Sequence, residues 1–249
     1  WLIEEAQPLF SMQYNKLSHA SINIFFTLTT IVVNFGMATI LVKTSIYVTE
    51  NDIGLLQWLP EMNLFLFAFL GVLLLDLIGA YLVHWAQHRV SWLWRFQLIH
   101  HTDTWVDTTS ANRHHPGESV IRFLFTTLGV FILGAPMWMV FLYQSLSVVF
   151  SQFNHANFSI SKKFDKILSF IIVSPNMHKV HHHYQLPFTD TNYGNIFSIW
   201  DRLFGTFSYL ETEKIIFGID TYQNPKEHNQ LMYLLKIPFL KKRKPSNIH

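Results

Sequence analysis

The chain has 249 residues, of which 50% are hydrophobic and only 14% are charged, and its net charge is +2. Soluble domains carry about 25% charged residues, so this composition excludes an ordinary water-soluble surface and indicates an integral membrane protein. There is no cysteine, which excludes disulfides and thiolate metal ligands, but there are 14 histidines. The basic run at residues 241–244 is interpreted as facing anionic lipid, and nucleic acid is not expected as a partner.

Three apolar stretches are long enough to enter a membrane. Residues 21–42 contain no charged side chain, and residues 62–83 contain one, Asp76. About 20 apolar residues cross the hydrocarbon core as a helix, so each stretch predicts a span, with Asp76 facing the protein interior. Residues 123–154 also lack charge but are interrupted at Pro136, which predicts two shorter helices that enter and return as a hairpin.

These elements predict an all-α, integral membrane helical bundle with about four membrane-embedded helices and a cytoplasmic, histidine-rich helical cap. We expect an interfacial segment at 1–20, one membrane-embedded domain at 21–210 and a cytoplasmic tail at 211–249 whose last dozen residues are mobile. No signal peptide is expected. The positive-inside rule makes the histidine side cytoplasmic, because basic residues are expected there: Arg89, Arg95, Arg113, Lys162, Lys163, Lys166 and the C-terminal run.

Histidines gather in three clusters just beyond these apolar stretches. Residues three or four positions apart lie on one face of a helix, so each cluster can aim several imidazole nitrogens at one point. This arrangement is typical of a metal site. We predict that these seven histidines are both catalytic residues and metal ligands: His84, His88, His100, His101, His178, His181 and His182.

Two further histidines are predicted ligands, because each lies where the chain returns to the same side: His115 and His155. His114 and His183 are left out, since on a helix they would point about 100° away from better candidates. The isolated histidines are predicted to be surface or capping residues: His19, His228 and His249. Seven to nine imidazoles exceed what one metal uses, so two metals are expected. Iron is the metal that best fits activation of dioxygen, although imidazole also suits zinc, copper and nickel.

The spacing of these residues resembles the pattern of the integral-membrane sterol desaturase and fatty acid hydroxylase superfamily. The resemblance covers about residues 65–210. It rests on four motifs: His84-x3-His88, Gln97-x2-His100-His101, Arg113-His114-His115-Pro116 and His178-x2-His181-His182. Gln97 stands where histidine is common in the second motif, which makes it a candidate to support a ligand from outside the metal's own shell. Asp76 and Asp201 are candidates to orient histidines, with a salt bridge or an ordinary satisfied polar contact as an equal alternative for Asp201.

The resemblance implies two iron ions, dioxygen as co-substrate, and electrons from an external donor such as a b-type cytochrome or a ferredoxin with its reductase. The chain has no dinucleotide-binding glycine motif and no cysteine for an iron-sulfur cluster, so the donor is expected to be another protein. We therefore predict an oxidoreductase that hydroxylates or desaturates an unactivated C–H position of a lipid. The lipid remains open among sterol, fatty acyl lipid, ether lipid and carotenoid. The alternatives are a non-redox membrane metal-binding protein and an inactive family member.

Overall fold

The computed structural model describes residues 1–243 of the chain, and these form α-helices joined by loops and short 3₁₀ turns. Within this part of the chain no β-strand is present, only two isolated bridges. The prediction of an all-α bundle is therefore confirmed. The helices are α1 Leu2–Ala6, α2 Lys16–Glu50, α3 Leu64–Asp76, α4 Val83–Arg89, α5 Ser91–His101, α6 Pro116–Leu133, α7 Met137–His155, α8 Lys162–Leu168, α9 Pro175–His181, α10 Ile199–Leu203, α11 Pro225–His228 and α12 Leu231–Lys236.

Four long elements make up the membrane bundle. The first is α2; the second is continuous from α3 through a π-helical turn, Leu77–Leu82, into α4; the third and fourth are α6 and α7. Three of them are long and apolar enough to cross a membrane, namely Lys16–Glu50, Leu64–Arg89 and Pro116–Leu133. These helices identify an integral membrane protein.

The bundle is closed at one end by a contact between two turns. Gly134 ends α6 in the left-handed conformation, with φ of 70°, and Pro136 then caps α7. The turn after α2 packs against this break, since the amides of Leu55 and Leu56 donate to the last carbonyls of α6 at 3.0 and 2.8 Å. The predicted helix break thus joins α6 and α7 into a hairpin.

The opposite end of the bundle carries the histidines. The first turn of α2 lies there, because His19 Nε2 is 2.9 Å from Asp103 Oδ1 just after α5. The end of α4, the start of α6 and the end of α7 lie there too. The pair formed by α2 and the continuous α3–α4 element returns the chain to this side, and so does the pair formed by α6 and α7, as the sequence predicted. Helices α5 and α8 to α12 cover this side as a cap.

The segment predicted as a C-terminal tail is folded as far as the structure describes it. Leu234 and Ile237 are buried against Phe26 and Ile99. Arg243 forms an ion pair with Glu227, with Nη2 and Oε1 2.7 Å apart, so this basic residue of the 241–244 run already has a protein partner. Lys244 and the rest of the predicted tail lie outside the described residues.

Candidate metal centre

Eight buried or half-buried histidines form two groups at the capped end of the bundle. In each group, four nitrogen atoms all lie within 4.8 Å of one another. The first histidine group is His84, His88, His101 and His181, and the second histidine group is His100, His155, His178 and His182. Each group could hold one metal ion.

The distances between these nitrogens suit a shared metal. His155 Nε2 lies 3.2 Å from His100 Nε2 and 3.1 Å from His178 Nε2, and His88 Nε2 lies 3.2 Å from His101 Nε2. Ligand nitrogens at about 2.0–2.1 Å from one tetrahedral metal are about 3.3 Å apart. The spacing of the rings therefore fits a metal between them.

Helical geometry limits which histidines of one helix can share a group. His84 and His88 lie four positions apart on α4 and face the same point. Neighbouring residues on a helix point about 100° apart, so His100 and His101 enter different groups. His181 likewise leaves the group of His178 and His182, so the prediction that each cluster aims at a single point is wrong for the second and third clusters.

Hydrogen bonds fix the outer nitrogens of the first group. His84 Nδ1 donates to the carbonyl of Tyr193 at 2.9 Å, and His181 Nδ1 donates to the carbonyl of Thr191 at 2.7 Å. With the proton held on Nδ1, each Nε2 presents its lone pair to the centre of the group. Both Nε2 atoms are buried without a hydrogen-bond partner among the described residues, as expected of atoms reserved for a metal.

A carboxylate and a backbone carbonyl contact the outer Nδ1 atoms of two other histidines in the same way. His88 Nδ1 lies 3.1 Å from Asp190 Oδ1, and His155 Nδ1 donates to the carbonyl of Ser151 at 2.8 Å. Such partners orient the ring and raise its basicity as a ligand. Sequence reasoning missed Asp190, and the only available signal was its place in the loop after the third motif.

Burial keeps the imidazoles of the cap neutral. It lowers the pKa of His181 to about 4 and the pKa values of His100, His101, His178 and His182 well below the usual range. A neutral imidazole is the form that binds a metal. These histidines are therefore ready to coordinate at neutral pH.

Lys179 is a second residue that sequence reasoning missed. Its side chain is completely buried, and Nζ donates to the carbonyls of Asn154, His155 and Ala156 at 2.9, 2.7 and 3.3 Å. It thereby satisfies the last carbonyls of α7, which a helix end leaves without partners. Because Lys179 follows His178, it also fixes α7 against α9.

Asp76 and Asp201 do not contact histidines. The carboxylate of Asp76 accepts from the backbone amides of Ile196 and Phe197, each at 3.2 Å. The carboxylate of Asp201 accepts from the amides of Tyr193 and Gly194 at 2.7 and 2.8 Å. Both carboxylates therefore shape the 193–197 loop, and Asp201 reaches His84 only through the Tyr193 backbone.

His115 is not brought to either group, which corrects its prediction as a ligand. It is the N-cap of α6: its Nδ1 accepts from the Gly117 amide at 3.0 Å, and its Nε2 donates to the Leu235 carbonyl at 3.3 Å. Both ring nitrogens are thus in use. His114 and His183 are also outside both groups in the described part of the chain, as predicted.

The isolated histidines depart from their predicted surface positions. His19 and His228 are buried, and His19 pairs with Asp103. Arg113, one of the basic residues expected on the histidine side, is buried as well, and its Nη2 donates to the His228 carbonyl. His249 lies outside the described residues. The buried positions of these residues link α2, α5 and the C-terminal helices.

Gln97 is completely buried and belongs to neither group. Its amide makes no hydrogen bond to the described residues. Because each group has four histidines without it, the departure of the second motif from the usual pattern removes no member of either group.

Comparison with known proteins identifies the family. Residues 68–206, more than half of the chain, match the model of the fatty acid hydroxylase family. The chain belongs to this family. The predicted resemblance is therefore confirmed, and the matched region contains all eight histidines of the two groups.

Several relatives within this superfamily are similar to the chain. An alkylglycerol monooxygenase from Danio rerio is 30% identical over 74% of this chain and 39% of its own length. An ornithine lipid hydroxylase from Rhizobium tropici is 28% identical over 55% of this chain and 40% of its own, and a cholesterol 25-hydroxylase-like protein from Danio rerio is 28% identical over 58% and 51%. The chain thus spans about 40–50% of these relatives. No solved structure matches it significantly.

Proposed function

We propose that this protein is a membrane-bound di-iron oxidoreductase that hydroxylates an unactivated C–H position of a lipid, with dioxygen as co-substrate. The observation that carries this proposal is the pair of four-histidine groups at one end of a membrane-embedded helical bundle. All-nitrogen ligand sets without thiolate suit iron at this task. The lipid hydroxylases and monooxygenases among its relatives support hydroxylation over desaturation.

Two bound irons would supply the activation of dioxygen and the attack on the C–H bond. The protein's own residues do the rest. The eight histidines would hold the two metals, and the two groups are adjacent, since the rings of His101 and His182, one from each group, have centroids 5.1 Å apart. Tyr193, Thr191 and Asp190 hold the outer nitrogens, and burial of the rings excludes bulk water.

In this proposal the electrons come from an external donor, a b-type cytochrome or a ferredoxin with its reductase. The sequence carries no cysteine for an iron-sulfur cluster and no dinucleotide-binding glycine motif. We place the histidine cap on the cytoplasmic face, because exposed Arg89, Lys162 and Lys163 lie on that side. On that face the histidine cap can receive electrons from reduced donors in the cytoplasm.

Neither alternative is supported by a specific observation. A membrane metal carrier would place ligands at several depths along the spans, whereas these histidines gather at one end. An inactive member was suggested by Gln97 alone, yet Gln97 is not needed to complete either group of four.

Metal content tests the proposal. Purified wild-type protein should hold about two irons per chain, and His84→Ala and His178→Ala should each retain about one, because each removes a ligand from a different group. His183→Ala, outside both groups, is the matched control and should keep two. Oxygen uptake with reductant and a lipid mixture should be lost in both group variants. Iron content that is unchanged in both, or wild-type protein with iron but without lipid-dependent oxygen uptake, would refute the assignment.

A further inference from the structure

A polar cavity of about 160 Å³ lies between α2, α6 and α7, next to the second histidine group. At its inner end lies His114, whose ring centroid is 5.1 Å from that of His100. Ser151 also lines the cavity, and its carbonyl is the acceptor for His155 Nδ1. The cavity therefore ends at residues that contact two members of the group.

The outer end opens on the lipid-facing surface of the bundle. Asn34 of α2 and Val148 of α7 line the cavity and are both exposed. Both residues lie in charge-free stretches of their helices. A molecule dissolved in the bilayer can thus pass between α2 and α7 toward the histidines without crossing water.

The wall of the cavity is more polar than an alkyl chain requires. Thr126 on α6 and Gln144 and Tyr143 on α7 line it, although all three lie in apolar helices. Polar side chains at such depth are costly and are found where they face a cavity or a partner. Gly79 in the π-helical turn leaves this wall open, because a Cβ there would lie 2.9 Å from Tyr143 Oη and 3.3 Å from Thr126 Oγ1.

Arg122 brings a guanidinium group to the cavity, and Glu118 pairs with it. Its Nε donates to Glu118 Oε1 at 2.9 Å, and Glu118 is completely buried. Because a carboxyl group already occupies one side of the guanidinium, the cavity suits a neutral oxygen-bearing group better than a second carboxylate or a phosphate. The two Nη atoms make no hydrogen bond to the described residues, so they can donate to such an oxygen.

We propose that this cavity binds a neutral, oxygen-bearing group of the lipid through Thr126, Gln144 and Arg122. The carbon to be oxidised then lies within a few bonds of that group. Pockets that enclose a whole drug-sized ligand measure about 300–1,000 Å³, so only the polar end fits and the alkyl chain extends into the bilayer. This inference rests on the proposed function only in taking the occupant to be the substrate.

Binding of radiolabelled 1-hexadecanol to the full, metal-loaded chain in detergent tests the proposal. Unlabelled 1-hexadecanol, hexadecanoic acid at pH 7.5 and hexadecane compete as neutral polar, anionic and apolar probes of equal chain length. The double variant Thr126→Val, Gln144→Leu removes polar atoms at nearly constant volume. Thr127→Val, on the same helix but outside the cavity, is the matched control.

Hexadecanol should compete at least 10-fold better than either other probe. The double variant should bind hexadecanol at least 10-fold more weakly than wild type, whereas Thr127→Val should bind it as wild type does. Equal competition by hexadecane, a preference for the acid, or unchanged binding by a folded double variant would overturn the inference.

The same assay on His178→Ala separates this inference from the proposed function. If that variant and wild type bind hexadecanol alike while neither oxidises lipid, the proposed function fails and the polar binding site stands. If wild type oxidises lipid and the double variant binds and oxidises it equally well, the function stands and the binding site fails.

Discussion

Lys179 Nζ lies 2.7 Å from the carbonyl oxygen of His155, so a buried amino group holds the end of α7 at the point where it supplies a histidine to the second group. The neighbouring residue, His178, enters the same group from α9. Two separate helices are thus fixed together by one amino group that touches neither imidazole nitrogen.

Replacing this hydrogen-bond donor should weaken metal binding selectively. Lys179→Met leaves the last carbonyls of α7 without a donor, so we expect about a 10-fold lower metal affinity at the second group and little change at the first. Titration of the metal-free protein with iron, in which the two binding steps are resolved, measures the affinity of each group. Lys179→Gln, which keeps one donor, should restore part of the affinity, and Lys166→Met at an exposed site should have no effect. An equal loss at both groups would indicate general unfolding instead.

Variants of His115 and His155 should distinguish a histidine that caps a helix from a histidine that belongs to a metal group. His155→Ala should lower iron content from about two to about one per chain. His115→Ala should leave two irons and should lower stability by about 1 kcal/mol, because it removes the side-chain acceptor for the Gly117 amide at the start of α6. Iron analysis and thermal unfolding of both variants provide the comparison. Loss of iron in His115→Ala would show that the residue supports a metal after all.

Asp190 should tune only the first group. Its carboxylate is the partner of His88 Nδ1, so Asp190→Ala frees this ring to rotate and should reduce metal affinity there by about 10- to 100-fold. Glu213→Gln, an exposed carboxylate on the same cap, is the control and should bind metal normally. If metal affinity fell equally at both groups, Asp190 would support the structure of the whole cap and not only the orientation of His88.

Acid should destabilise the metal-free protein. Burial lowers the pKa of His181 from about 6.5 in the unfolded chain to about 4 in the folded protein. The folded state then binds fewer protons than the unfolded state between these values, so stability is full above about pH 6.5 and is lost as pH falls toward 4, by up to about 1.4 kcal/mol per unit. Unfolding temperatures measured from pH 7.5 to 4.5 should show this fall, with a shallower slope in His181→Gln. A flat profile would contradict the neutral, buried state of the ring.

Gly134, where the turn between α6 and α7 packs against the turn after α2, should tolerate no side chain. A Cβ on Gly134 would lie 2.2 Å from the Ile53 carbonyl oxygen, and φ there is positive. Gly134→Ala should therefore cost at least about 1–3 kcal/mol. Gly36→Ala, within α2 where a Cβ meets nothing within 4 Å, should be neutral or stabilising by up to about 1 kcal/mol. Thermal unfolding of the two variants in detergent compares them, and equal effects would argue against the close packing of the turns.

The sequence by itself determined the membrane helices, the hairpin and all eight histidines that come together in the two groups. These features are local: charge-free runs of sufficient length predict helices in lipid, Gly134 and Pro136 break a helix wherever they occur, and four-residue spacing places His84 and His88 on one face. The same local reasoning extended the metal site to His155, which the structure places in the second group.

Only the tertiary structure decided how the histidines divide between the two groups. His100 and His101 are adjacent in sequence, yet they face different groups, because the packing of α5 against α4 and against the Ile237–Phe239 turn sets its rotation. Sequence spacing contains no information on that rotation. Tertiary packing also places His115 Nε2 against the Leu235 carbonyl and brings buried Lys179 to the end of α7, and both contacts join residues more than 20 positions apart.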